Sequence, residues 1–276
     1  MALHPTDLSL VEGIVLGIIE GVTEFLPISS TGHLTVAARL LDLRGTAVDS
    51  YVIAVQIGAI AAVLALYRQR IRSLADAGRR PFRRGPARGV LVALAVAFVP
   101  AALVGAVLGD VVKDRLFGVG PVAAAWAVGG VAILVFARRG GDGHRPLEAI
   151  TVRDGIVVGL AQVLALWPGT SRSLVTILAA VTLGLSLPAA VEFSFLLGLV
   201  TLTAATGFEL ARHGGEIVDA FGYLVPAVGV VVAFASALVS IRWMVAHLQS
   251  RGFELFGWYR LLAAAGATAL LLLDVV

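Results

Sequence analysis

EGVTEFLPISSTGHL, residues 20–34, sets two carboxylates, three consecutive hydroxyls and a histidine in a chain that is otherwise mostly hydrocarbon. Ionisable groups at membrane depth are costly and mark functional sites by default, so the reading of the chain turns on whether this stretch lies there. Hydrophobic residues make up 59% of the 276 and charged residues 14%, well under the roughly one quarter of soluble domains. Mean hydropathy is +0.95. A soluble helical protein would show polar positions recurring every turn; the long apolar runs have none, and the chain reads as an integral membrane protein. No cysteine is present, which excludes disulfides and thiolate metal sites. The segment MALHPTDLSLVEG has neither a basic stretch nor a small-residue cleavage site, so no removable signal peptide is expected. Positive charge comes almost wholly from arginines gathered in loops, which reports membrane orientation rather than nucleic-acid binding.

Outward from the opening stretch, the apolar run from Leu8 to Leu26 carries Glu12, Glu20 and Glu24 and stops at Pro27, which makes it a poor spanning helix. The hydroxyls of Ser29, Ser30 and Thr31 are good N-caps for a second short helix over Gly32 to Leu43. Two short helices broken by proline and hydroxyls read as a re-entrant hairpin, tolerated at depth only where it is buried in protein or lines a wet cavity. Spans are expected at Tyr51–Tyr67, Val90–Gly109 and Val119–Ala137, each near the roughly 20 residues a bilayer needs. The pattern then restarts. Gly155 to Trp167 is a short apolar helix ended by Pro168-Gly169, and Thr170, Ser171 and Ser173 precede another that runs to about Gly184. Spans follow at Val191–Leu210, Phe221–Ile241 and Trp258–Leu273.

A shift of about 142 residues lays Gly13 and Gly17 on Gly155 and Gly159, Glu20 on Gln162, and Ser29-Ser30-Thr31 on Ser171-Arg172-Ser173. Pro27 meets Pro168 with a slip of one, and Gln56-Ile57-Gly58 falls near Leu196-Leu197-Gly198. The expected fold class is therefore an all-α polytopic membrane protein in one domain over 1–276. It would be an inverted repeat, approximately 1–138 and 150–276, each half a re-entrant helix hairpin plus three transmembrane helices, six spans and four re-entrant helices in all. An odd number of crossings per half inverts the second copy and sets the broken helices face to face near the midplane. The loops 68–88, 138–153 and 242–257 carry most arginines and should be cytoplasmic. Both termini and the first hairpin's mouth then face outward.

Glu20 and Glu24 share a helix face and suit either a divalent cation, Mg²⁺ or Ca²⁺, or a shared proton. Such a cation would borrow its remaining ligands from water and a phosphate. Glu12 reads as interfacial. Ser29, Ser30 and Thr31 at a helix N-terminus favour an anion, and His33, over the same turn as Ser30, could act as base, acid or nucleophile. The second hairpin adds Gly169, which lets backbone approach a ligand, the hydroxyls of Thr170, Ser171, Ser173 and Thr176, and Arg172. Arg172 reads as the one arginine away from loops and span ends. It would supply a bidentate phosphate fork or pair with Glu20 or Glu24. This set suits a phosphate with a metal and favours phosphoryl transfer. His4, His144, His213 and His247 read as solvated, Glu192 and Glu209 as interfacial anchors, and Trp258 and Tyr259 as an aromatic belt.

EGVTEFLPISSTGHL, Gln56-Ile57-Gly58, PGTSRS with Thr176, EFSFLLG and Trp258-Tyr259-Arg260 resemble the undecaprenyl pyrophosphate phosphatases, the bacitracin-resistance membrane phosphatases, over essentially the whole chain. The resemblance implies hydrolysis of C55 isoprenoid pyrophosphate to undecaprenyl phosphate, the recycled carrier of peptidoglycan synthesis. It also implies a divalent-cation requirement and a multi-pass place in a bacterial plasma membrane with the active site facing the periplasm. The family's acidic pair falls on Glu20 and Glu24, its hydroxyl run on Ser29 to Thr31, its histidine on His33 and its arginine on Arg172. Leu174-Val175, Val52 and the absence of a proline after EFSFLL depart from the family pattern. The expected partners are a polyprenyl pyrophosphate and membrane lipids, with a homodimer left open. The rival reading is a lipid-phosphate flippase or anion-coupled transporter that binds without cleaving, since inverted repeats with broken helices are also transporter architecture.

Overall fold

The four short helices of the two broken pairs begin at hydroxyl caps, Ser9, Ser29, Thr151 and Ser171. The computed structural model describes residues 8–79, 85–139 and 143–276, and within them all side chains except those of Asp110, Lys113, Arg138 and Arg139. Of the residues read above, His4, Arg80, Arg83 and Arg84 and the side chains of Arg138 and Arg139 lie outside what is described. Helix α1 (Leu10–Thr23) starts at a capping box in which the Ser9 hydroxyl accepts from Glu12 N and the Glu12 carboxylate accepts from Ser9 N. It ends short of Pro27, and α2 (Ser30–Leu40) begins after Ser29. The rest of the chain gives α3 (Thr46–Ala54), α4 (Gln56–Leu66), α5 (Arg68–Arg79), α6 (Pro86–Leu116) and α7 (Val119–Arg139). These are followed by α8 (Val152–Val163), α9 (Arg172–Thr182), α10 (Leu187–Phe221), α11 (Leu224–Arg251) and α12 (Glu254–Leu272). Among the described residues the only extended pairing is an isolated bridge between Arg145 and Leu185.

Six stretches are long and apolar enough to cross a bilayer: Thr46–Leu66, Pro86–Gly109, Val119–Ala137, Leu187–Phe221, Leu224–Arg251 and Glu254–Leu272. The count agrees with the sequence reading, but only Val119–Ala137 keeps both expected bounds, and two of the differences have a local cause. The first span is two helices, because Gly58 N bonds Val55 O three residues back and tightens the turn between α3 and α4. Phe221 closes α10 rather than opening the next span, because Gly222 takes a φ of 63° that ends the helix. The outside is oily, with Val107, Val128 and Leu262 each more than 70% exposed, whereas Glu20 and Arg260 are completely buried. That distribution fits a protein solvated by lipid.

The α8–α9 segment has the local construction of α1–α2. Thr151 and Asp154 form the same capping box as Ser9 and Glu12. A short 3-10 turn, Leu164–Leu166, then leads to Trp167 and Pro168 before the next cap, Ser171. Both short pairs lean on a long helix through glycine. A Cβ at Gly17 would fall 2.7 Å from Gly229 O in α11, and one at Gly159 would fall 2.6 Å from Ala97 O in α6. Small residues let membrane helices approach at backbone distance, and here they pin each pair where its turn meets the other.

Candidate active site

Each broken turn ends in a serine whose backbone is bent the wrong way for an L-residue. Ser29 has φ 73° and ψ 105°, Ser171 φ 73° and ψ 111°, a conformation that costs about 1–2 kcal/mol for a residue with a Cβ. Each hydroxyl then accepts from the backbone N–H three residues on, Gly32 N at 3.3 Å and Leu174 N at 3.3 Å, so that both serve as caps rather than as free ligands. The residue after each cap, Ser30 in one turn and Arg172 in the other, is thereby aimed from a helix start into the protein.

Those two residues meet at Glu24. Arg172 Nη2 donates to Glu24 Oε1 at 3.0 Å, and the Ser30 hydroxyl donates to Glu24 Oε2. Arg172 is held from the other side by Ser194 O, 3.0 Å from Nη1, and its guanidinium lies over the Phe25 ring. Thr176 and Ser194 share a hydroxyl–hydroxyl bond of 2.7 Å. The turns also touch directly, since Ser173 Oγ donates to Leu26 O at 2.9 Å and Ser171 Oγ lies 3.4 Å from the same oxygen. The pairing of Arg172 with Glu24 was one of the two readings open in the sequence, and the structure realises it.

One helical turn before Glu24, Glu20 is fully buried with neither carboxylate oxygen hydrogen-bonded, and its counterpart Gln162 is 3% exposed with both amide atoms unpaired. Arg172 Nε is likewise unused. Buried polar groups are nearly always satisfied, so the orphaned Glu20 carboxylate, a turn from Glu24, is a candidate for bonding completed by a ligand. The fit to a hard divalent cation is good on the side of Glu20 and Glu24, since an orphaned carboxylate stands a turn from a second one. Among the described residues no third acid or histidine joins them, and the remaining ligands would be waters and phosphate oxygens.

His33 faces another way. Its Nδ1 lies 2.7 Å from Ser29 O and its Nε2 2.7 Å from the Tyr259 hydroxyl, with the ring packed against Trp126 and Tyr259. Tyr259 is therefore not simply a belt residue, whereas Trp258, 57% exposed, fits one. A larger correction concerns Arg260, which the sequence reading left at a span end. It is fully buried and bonds Pro27 O at 3.2 Å, Ala125 O at 2.8 Å and Gly169 O at 2.9 Å. Arg172 is thus not the one arginine away from loops and span ends; Arg260 ties the two turns to α7.

The remaining expected ligands have mixed parts. Gly169 at φ 92° packs on Val122 and offers its carbonyl to Arg260. Thr31 and Thr170 are half-buried, and no side-chain bond joins either to the Glu24 cluster. Sequence reading missed Ser194 and Gly198, the latter leaving room for the Arg172 guanidinium that a Cβ would meet at 2.1 Å. Both lie in EFSFLLG, where Phe195 also packs on Phe25. Glu192 in that segment is an ion-pair partner of Arg70 at 2.6 Å rather than a lone anchor.

Residues 13–266 match the family described as bacitracin resistance protein BacA. A protein of Methylibium petroleiphilum named undecaprenyl-diphosphatase is 44% identical over 269 residues, covering 92% of each chain. One of the same name from Sorangium cellulosum is 42% identical over 265 residues, 94% of this chain and 85% of its own. The undecaprenyl-diphosphatase 2 of Rhodospirillum rubrum is 42% identical over 255 residues, 91% of each.

Proposed function

The chain belongs to the bacitracin-resistance family BacA, and on that premise we propose that it is a membrane hydrolase that converts undecaprenyl pyrophosphate to undecaprenyl phosphate and phosphate. The observation that carries the reading is the Ser30–Glu24–Arg172 cluster beside the orphaned Glu20. The activity returns the lipid carrier to peptidoglycan synthesis and accounts for the family's link to bacitracin.

The incoming pyrophosphate competes with Glu24 for Arg172, whose planar fork matches two phosphate oxygens. As the fork moves onto the phosphate, Glu24 is left with the Ser30 hydroxyl proton. Ser30 Oγ attacks the terminal phosphorus, Glu24 takes the proton, and the P–O bond of the anhydride breaks with the bridging oxygen leaving on undecaprenyl phosphate, which the proton follows. Water then cleaves the phosphoserine, its oxygen going to phosphorus and a hydrogen returning to Ser30 Oγ. A nucleophile bonded to a positioned base is the expected arrangement for such chemistry. His33, engaged at both ring nitrogens, is a positioning residue that ties the start of α2 to α12. Glu20 and Glu24 would hold the divalent cation, which when bound supplies positive charge against the phosphate oxygens. Thr31, Gly169, Thr170, Ser173 and Thr176 line the approach for the pyrophosphate, while Ser29 and Ser171 hold the helix starts beside it as caps.

The two broken-helix pairs are re-entrant hairpins of an inverted repeat, approximately 1–138 and 150–276 within one membrane domain, in a bacterial plasma membrane. Their matched caps and serine torsions support that reading. The arginine distribution supports termini and active site on the periplasmic side. Phosphate release from undecaprenyl pyrophosphate by the purified protein is the test, with acid quenching of a turning-over sample. An acid-stable phosphoenzyme absent from Ser30→Ala supports the serine route, and an acid-labile one still formed by that variant refutes it.

A further inference from the structure

In the arginine-rich layer, the end of α4, the start of α5, the first turns of α10 and Arg242 of α11 surround an open cavity of about 730 Å³. Ala65 and Leu66, at the end of a membrane span, are the apolar part of a lining that is otherwise mostly polar. Its wall carries Arg68, Arg70 and Arg242 against one carboxylate, Glu192. Arg70 is already committed: its Nε bonds Glu192 at 2.6 Å and its Nη1 bonds Glu148 at 2.8 Å. Arg68 and Arg242 have no carboxylate partner among the described residues. Two guanidiniums without a carboxylate partner among the described residues thus line a recess that also takes in the last residues of a span.

The wall is not a loose loop. Helix α5 lays Ile71 and the buried Leu74 into the core while Arg68 and Arg72 stay outside, the pattern of a helix lying in the interface plane. The Arg70 bridge fixes that helix to α10 through Glu192 and to the segment before α8 through Glu148.

We propose that this cavity is a headgroup site for an anionic phospholipid of the adjacent leaflet, with Arg68 and Arg242 receiving the phosphate and Ala65 and Leu66 meeting the first carbons of the acyl chains. The chemistry selects a phosphate that arrives attached to hydrocarbon: free phosphate would meet the guanidiniums but gain nothing from Ala65 and Leu66. Basic recesses between membrane helices bind anionic headgroups on this physical basis, with each arginine near an anionic surface contributing the equivalent of about fivefold in affinity. The site is distinct from the Glu24 cluster and shares no residue with it.

The test uses the full chain in uncharged detergent, titrated with phosphatidylglycerol, with phosphatidylcholine and with inorganic phosphate, and native mass spectrometry to count retained lipid. One phosphatidylglycerol is expected to stay with the protein and phosphatidylcholine is not. Arg68→Gln with Arg242→Gln should weaken retention about 25-fold, Arg68→Lys with Arg242→Lys should keep most of it, and hydrolysis of undecaprenyl pyrophosphate in phosphatidylcholine should stay unchanged in both. If the glutamine pair does not fold, Arg68→Gln alone carries the test through its fivefold loss. Equal retention of phosphatidylglycerol by parent and variant, equal retention of phosphatidylcholine, or displacement of the lipid by millimolar inorganic phosphate would overturn the proposal.

Discussion

Ser30 and Arg172 occupy the same position in two turns of the same build, each the first helical residue after a serine held at φ 73°. One carries a hydroxyl and the other a guanidinium, and both bond Glu24. A helix start after a bent cap delivers whatever side chain follows to the meeting point of the two turns, so the backbone could stay fixed while the chemistry diverged. The buried pair one turn before each break differs in the same sense: Glu20 is an acid and Gln162 its neutral isostere, and both are orphaned. The first turn carries the acids and Ser30, while the second carries the cation and the hydroxyls that close onto Leu26.

Removing the divergent groups should produce the largest effects. Arg172→Ala and Ser30→Ala are each expected to lower kcat/KM by about 10³-fold or more, the scale of losing a preorganised charge or a nucleophile, with the melting temperature little changed for Ser30→Ala. Arg172→Lys should recover only part of the loss, because a point charge replaces a fork. Steady-state phosphate release checks both.

Erasing the difference at the buried pair comes next. Glu20→Gln makes the first turn resemble the second; it should cost about 10²-fold in activity and weaken the response to added divalent cation, without loss of thermal stability, because it removes an unpaired buried carboxylate. Gln162→Glu runs the other way, burying a second unpaired acid, and should lower stability by a few kcal/mol. Thermal unfolding of the two variants in one detergent checks the contrast, and equal destabilisation would remove the distinction between the turns.

Arg260 bonds both turns, so its loss should not distinguish them. Arg260→Met strands three buried carbonyls, at about 1–3 kcal/mol each, and is expected to loosen the Pro27 and Gly169 turns together, read by hydrogen exchange at both. The smallest effect lies outside the membrane. The Arg70 bond holds the Glu148 carboxyl below its ordinary range. A carboxylate depressed in the folded state adds stability above its unfolded value near 4.5, and that contribution fades as pH falls through the folded value. Glu148→Gln should therefore cost under about 1 kcal/mol at pH 7 and approach nothing once pH falls below the folded value, by denaturation at neutral and at strongly acid pH.

The sequence carried the local part of this architecture. Apolar length disclosed six spans, Pro27 and Pro168 the breaks, and the hydroxyl runs the caps, because each depends on neighbours within a turn or two. It also disclosed Glu20, Glu24, Ser30 and Arg172, since charge is rare in such a chain. What it concealed depends on contacts between distant residues. Tyr259 lies 226 residues from His33 and 41% exposed, so nothing local separates it from the belt residue Trp258. Arg260 lies near the start of an apolar helix, where an arginine ordinarily reaches for water; only the three-dimensional meeting of Pro27, Ala125 and Gly169 turns it inward. Ser194 acts mainly through a backbone carbonyl, which no side-chain pattern reports.

The central claim is that the first turn's carboxylate and the second turn's arginine work as one unit. A double-mutant cycle of Glu24→Gln and Arg172→Gln on phosphate release from undecaprenyl pyrophosphate tests it most directly. The account predicts strong non-additivity, with the double variant within about threefold of the worse single one, as for residues that act together. Losses that simply multiply, or a parent protein that releases no phosphate, would contradict it.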